Sequence, residues 1–179
     1  MGDIYQLKGD QEKAIVLYQQ ANELAPGDTA IALSLADSLA RAGRNVEAKK
    51  RYEGILQMHP DNFSALNNLA FLLADTGGDL DQALRLAQQA LTKLPNQAAF
   101  IDTVGYIYLK KGLGDSAVQT FGNLVRKNPH VPAYRYHLGM ALLAKGDKLA
   151  AKKELQVALD DRPSPQDKRK IVELLGRIS

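Results

Sequence analysis

Apolar positions in this chain recur at helical spacing and are interrupted at regular intervals. Between Thr29 and Asn62, Leu35, Ala36 and Leu39 lie at i, i+1 and i+4, one stripe of a helix. Gly43 stops that helix, because glycine accepts the left-handed conformation found at helix C-termini. A second stripe follows, carried by Val46, Ala48, Tyr52, Ile55 and Leu56. His59-Pro60-Asp61-Asn62 closes it: proline cannot continue a helix, and Asp61 or Asn62 can cap the next one. The stretch predicts helix, short turn, helix, short turn. Connections this short make the neighbouring helices antiparallel.

The same pattern returns along the whole chain. Prolines stand at 26, 60, 95, 129 and 163, in steps of 34, 35, 34 and 34 residues. Twelve residues before each lies an alanine: Ala14, Ala48, Ala83, Ala117 and Ala151. A turn glycine precedes each alanine: Gly9, Gly43, Gly77 or Gly78, Gly112 and Gly146. A period of this length predicts an all-α helical-repeat array, an α-solenoid. The units are 1–28 with a truncated first helix, 29–62, 63–97, 98–131 and 132–163, followed by a cap helix over 164–179. The first unit starts in mid-helix, which reads as part of a longer array. Ser164-Pro165-Gln166-Asp167 is a capping box with proline at the first helical position, and Ile171, Leu174, Leu175 and Ile178 follow at helical spacing.

Packing expectations follow from residue size. Each ladder alanine marks a close approach of two helix backbones, where a larger side chain would overpack. Small residues also recur in the first helices at Gly2, Ala36, Ala70, Gly105 and Gly139. Bulky partners stand in the second helices at Tyr18, Tyr52, Phe121 and Leu155. Small against large favours one packing geometry and hence a regular superhelix.

This succession of small residue, bulky residue, glycine, alanine, aromatic or leucine, and proline over 34 residues resembles the tetratricopeptide repeat family, across essentially all of residues 1–162. Two departures stand out. Tryptophan is absent, and Ala32, Leu66, Ile101 and Arg135 occupy the family's usual aromatic position near the start of the first helix. The third unit also carries one extra residue in its turn, Ala74-Asp75-Thr76-Gly77-Gly78-Asp79. More narrowly, Ala65-Leu66-Asn67-Asn68-Leu69-Ala70, Asp102-Thr103-Val104-Gly105-Tyr106 and Arg135-Tyr136-His137-Leu138-Gly139 are similar to C-terminal arrays of bacterial envelope repeat lipoproteins that accompany exopolysaccharide and exosortase-type export. That resemblance implies the bacterial periplasm or cell envelope, within an assembly machine. Composition leaves the cytoplasm open.

The family resemblance implies a concave groove lined by first helices. Carried over position by position, it names Leu33, Asp37, Asn67, Phe71, Asp102, Tyr106, Lys110, Tyr136 and Met140 as partner-binding candidates. Aromatic and apolar groups beside a few polar ones are what a peptide hot spot needs. The alternative is that the aromatics pack helix on helix. Family members that clamp acidic peptide C-termini use lysine, asparagine and arginine at set positions. Here those positions hold Leu33, Asp37, Asn67, Phe71, Thr103 and His137, so the basic residues are missing and that ligand is disfavoured.

Composition narrows the chemistry. There is no cysteine, hence no disulfide, thiol nucleophile or thiolate metal site. The histidines, His59, His130 and His137, are scattered without metal-ligand spacing. Asp102-Thr103 can hydrogen-bond toward His137, but a catalytic triad also needs a nucleophile and an oxyanion site. No cofactor, metal or small-molecule substrate is indicated, and the chain does not read as an enzyme. Lys plus Arg number 23 against 20 Asp plus Glu, with basic runs interspersed with acids, so nucleic-acid binding is disfavoured. No apolar run approaches the ~20 residues needed to span a bilayer. The sequence therefore points to a non-catalytic scaffold for a peptide or protein segment. Self-association through the first repeat is the alternative.

Overall fold

The computed structural model describes residues 2–178. Met1 and Ser179, the outer ends of the first repeat and cap helix as read from sequence, lie outside the described residues. The described residues form eleven helices and no strand. In order these are α1 (Gly2–Leu7), α2 (Gln11–Leu24), α3 (Thr29–Arg41), α4 (Asn45–Met58), α5 (Phe63–Asp75), α6 (Leu80–Lys93), α7 (Ala98–Lys110), α8 (Gly114–Lys127), α9 (Pro132–Ala144), α10 (Lys148–Asp160) and α11 (Pro165–Gly176). The fold is an all-α helical repeat. The chain forms two compact units that divide in sequence between Lys93 and Leu94.

The helix ends follow from local chemistry. Asp10, Asp28, Asn62 and Asp147 each accept a backbone N–H from the first turn of the helix that follows. This satisfies donors that the helix itself leaves orphaned. The turn inside each helix pair uses a glycine with φ between 72° and 84°: Gly9, Gly43, Gly77, Gly112 and Gly146. In the longer turn of the third repeat it is Gly77, not Gly78, that takes the left-handed conformation. Asp79 then accepts the N–H groups of Asp81 and Gln82 to start α6, both at 2.9 Å. At α11, Ser164 Oγ accepts the Asp167 N–H at 3.1 Å and donates to Asp167 Oδ2 at 2.7 Å. The capping box thus closes hydroxyl to carboxylate.

In the first unit, α1 to α6, the core is built from Ile15, Leu35, Leu39, Tyr52, Leu66 and Leu69, with Ala14, Ala48 and Ala83 fully buried. Gly2 lies against the Tyr18 ring, where an added Cβ would come within 2.7 Å. In α6 the place of the bulky partner is taken by Ala87, which is buried with Ala83 and Ala90. In the second unit, α7 to α11, Ile107, Phe121, Leu124, Leu155 and Ile171 form the core, with Ala117 and Ala151 fully buried. Gly105 faces Phe121 and Gly139 faces Leu155, with no room for a methyl at either. The cap helix seats Ile171 on Leu155 and Ala158 and turns Lys168, Arg169 and Lys170 outward.

Candidate functional site

The candidate positions in the first unit lie on α3 and α5, and a chain of side-chain hydrogen bonds links Asp37 to Asn67. Asp37 is half-buried on α3. Its Oδ1 accepts the Tyr52 hydroxyl at 2.6 Å and Asn68 Nδ2 at 2.8 Å. Asn68 Oδ1 in turn accepts Asn67 Nδ2 at 3.2 Å. Asn67 is only 6% exposed, and its Oδ1 has no hydrogen-bond partner. Leu33 is half-buried one turn before Asp37, and Phe71, one turn beyond Asn67, is 38% exposed. The pairing repeats earlier in the chain, where the Tyr18 hydroxyl donates to Asp3. Burial, then the hydrogen bond to Asp3, pushes the Tyr18 phenol up to about 12. Burial and then the Asp37 charge push Tyr52 up further still. Both tyrosines are therefore hydroxyl donors at neutral pH.

In the second unit Asp102, Tyr106 and Tyr136 surround His137. Its Nδ1 lies 2.8 Å from Asp102 Oδ1, and both side chains are mostly buried. The rings of Tyr106, Phe121 and Tyr136 surround the imidazole with centroids 5.5, 5.4 and 5.6 Å away. Tyr106 is only 7% exposed, so its ring forms part of this packing. Lys110 places its ammonium 5.2 Å from the Tyr106 centroid, a cation–π contact. Tyr136 and Met140 are half-buried on α9. Burial and then Glu173 raise the Tyr136 phenol; burial and then Asp102 raise that of Tyr134. Thr103 does not join the Asp102–His137 pair, because its hydroxyl donates to Ala99 O at 3.1 Å.

Repeat position marks Asp37, Asn67 and Phe71 in the sequence but not Tyr52, which joins the same network. The signal was present: Asp3 and Tyr18 are fifteen residues apart, as are Asp37 and Tyr52. Phe121 likewise read only as core, yet it forms one wall around His137. His130 is exposed beside Asp161 at 3.2 Å. Among the described residues no group of three or more His, Asp or Glu could hold a metal ion. None of their helices is long and apolar enough to cross a membrane. The outer charges pair locally, as in Arg44–Glu47 at 2.7 Å and Lys49–Glu53 at 3.8 Å.

Profiles described as tetratricopeptide repeat match residues 7–70, 39–100 and 105–168. The chain belongs to the tetratricopeptide repeat family. Among solved structures, a thermophilic tetratricopeptide repeat protein of Thermus thermophilus superposes with a TM-score of 0.85 at 20% identity, over 97% of this chain and 95% of that one. A tetratricopeptide repeat protein of Parabacteroides merdae gives 0.83 at 16% identity, over 99% of this chain and 68% of that one. YrrB, described as a tetratricopeptide repeat protein with an unusual peptide-binding site, gives 0.62 at 19% identity, over 96% and 88%. These likenesses establish the fold alone. By sequence, the chain is 25% identical over 91% of its length to the BBSome complex member BBS4 of Bos taurus. It is 25% identical over 99% of its length to the human protein O-mannosyl-transferase TMTC1. It spans 31% and 20% of those two proteins.

Proposed function

We propose that this tetratricopeptide repeat chain is a non-catalytic interaction scaffold that holds a peptide or protein segment on its first-helix surfaces. In the first unit the contacts are Leu33, Asp37, Asn67 and Phe71; in the second they are Asp102, Tyr106, Lys110, Tyr136 and Met140. The observation that carries the reading is Phe71, a large aromatic on the first helix of a repeat with 38% of its surface exposed. An exposed aromatic beside hydrogen-bonding groups is the composition of a binding hot spot. The description of YrrB as having a peptide-binding site agrees with this use of the fold. The non-catalytic part of the reading is supported by membership of a repeat family whose arrays serve mainly as extended binding surfaces. The resemblance of the three sequence words supports a bacterial envelope assembly as the setting.

The test is selection of twelve-residue peptides displayed on phage against the folded chain, followed by affinity measurements with Phe71→Ala and Tyr136→Ala. We expect each variant to bind at least about tenfold more weakly while its far-UV circular dichroism is unchanged. Affinities that both variants leave untouched would overturn the assignment. A second reading, association of copies, is favoured by the exposure of Ile4, Leu7 and Val16 on α1 and α2. It predicts a mass that rises with concentration.

A further inference from the structure

We propose that the first unit's binding surface reads a lysine or arginine side chain, through Asp37, Asn67 and Phe71. This rests on the reading of that surface as a peptide site and adds the chemistry of what it takes.

The hydrogen-bond chain determines which way each amide points. A carboxylate can only accept, so Asn68 must present its NH2 group to Asp37. That leaves the Asn68 oxygen toward Asn67, which must present its own NH2 group in turn. The Asn67 oxygen is then left as an acceptor outside this run of bonds. It is also the atom that has no partner, on a side chain more than nine-tenths buried. Turning either amide over would set two acceptors or two donors face to face.

Asp37 carries the second acceptor. Both of its side-chain bonds end on Oδ1, so Oδ2 is not engaged by them. Arg41, one turn along α3, is exposed and makes no ion pair with Asp37 among the described residues. Phe71 follows Asn67 by four residues and Asn68 by three, so it shares their stripe of α5. Its exposed ring supplies an aromatic face to the same surface.

Two acceptors, a negative charge and an aromatic face suit one kind of ligand group. A cationic side chain donates to both oxygens, neutralises the carboxylate and lies against the ring. An acidic residue would meet Asp37 with like charge. A neutral one would leave the carboxylate without an ion-pair partner. The arrangement is particular to this repeat. One repeat earlier, Asp3 pairs with Tyr18 in the same way, but Leu33 and Ser34 stand where Asn67 and Asn68 stand here. Neither of those two residues carries an amide oxygen.

The experiment uses the full chain and an array of random twelve-residue peptides. The best binders are resynthesised with arginine replaced by citrulline and lysine by norleucine, and affinities are read by fluorescence anisotropy. Asp37→Asn keeps an oxygen for Tyr52 and Asn68 while removing the charge. Asn67→Leu tests the amide oxygen with a residue that already occupies the equivalent place at Leu33. The bound set should be rich in lysine and arginine. Each variant should weaken the cationic peptide about tenfold or more and leave its neutral counterpart within about twofold. If both peptide forms weaken alike, or the bound set shows no basic preference while Phe71→Ala still abolishes binding, the cation assignment fails and the peptide site stands. If no peptide in the array binds, both fall.

Discussion

Gly105 has no space for even one methyl group, since a Cβ there would lie 2.7 Å from the Phe121 ring. Phe121 is itself fully buried, so the strain has no outlet toward solvent. Gly105→Ala is expected to cost about 1–3 kcal/mol, read as a lower urea midpoint. Adding Phe121→Leu should recover part of that loss, and a double mutant no better than the single one would place the strain elsewhere. Tyr52 poses a different problem. Its hydroxyl donates to a carboxylate in a mostly buried setting, and hydrogen bonds to charged groups contribute about 1.5–3 kcal/mol. Tyr52→Phe should therefore destabilise measurably without loss of helical signal. The tyrosines also set an alkaline limit. Tyr18 is held neutral to about pH 12 in the folded chain, against its ordinary value of 10.0. Its contribution is fully present below pH 10 and is lost as pH rises through 12. The denaturant midpoint should be level up to pH 9.5 and fall from pH 10 upward, less steeply in Tyr18→Phe.

At the level of the element, each helix is defined by its ends more than by its interior. The cap helix α11 shows this most directly, because it starts with Ser164 and Pro165 and has one fully buried residue, Ile171. Removing the Ser164 hydroxyl leaves the Asp167 N–H without its acceptor and breaks the bond to the Asp167 carboxylate. Ser164→Ala should cost about 0.5–2 kcal/mol of local stability. Hydrogen exchange should show faster exchange across α11 with α8 unchanged. Equal acceleration in both helices would mean that α11 opens only with the rest of its unit.

Over the whole molecule, stability should follow the repeat organisation, because units in such arrays interact mainly with their neighbours. Ala117 is fully buried on α8, so Ala117→Leu should overpack it by about 1–3 kcal/mol. Hydrogen exchange should show the loss of protection concentrated in α7 to α9 and smaller in α3 to α5. A uniform loss across the described residues would show that the chain unfolds as one cooperative block.

The sequence by itself determined the helical period, the helix ends and the size of each packing position. These depend on local chemistry: glycine where φ is positive, aspartate or asparagine at caps, alanine or glycine where backbones meet. It also named the candidate positions, because repeat position carries over from one unit to the next. What it could not determine was the use made of side chains that have more than one possible partner. Tyr106 and Phe71 occupy equivalent repeat positions and are both aromatic, yet Tyr106 is buried beside His137 and Phe71 is exposed. Asn67 could have bonded in several directions, and only the placement of Asp37, Tyr52 and Asn68 leaves its oxygen as a lone acceptor. Period and size are properties of one segment. Burial and hydrogen-bond direction belong to the contacts between segments, and those exist only once the helices have packed.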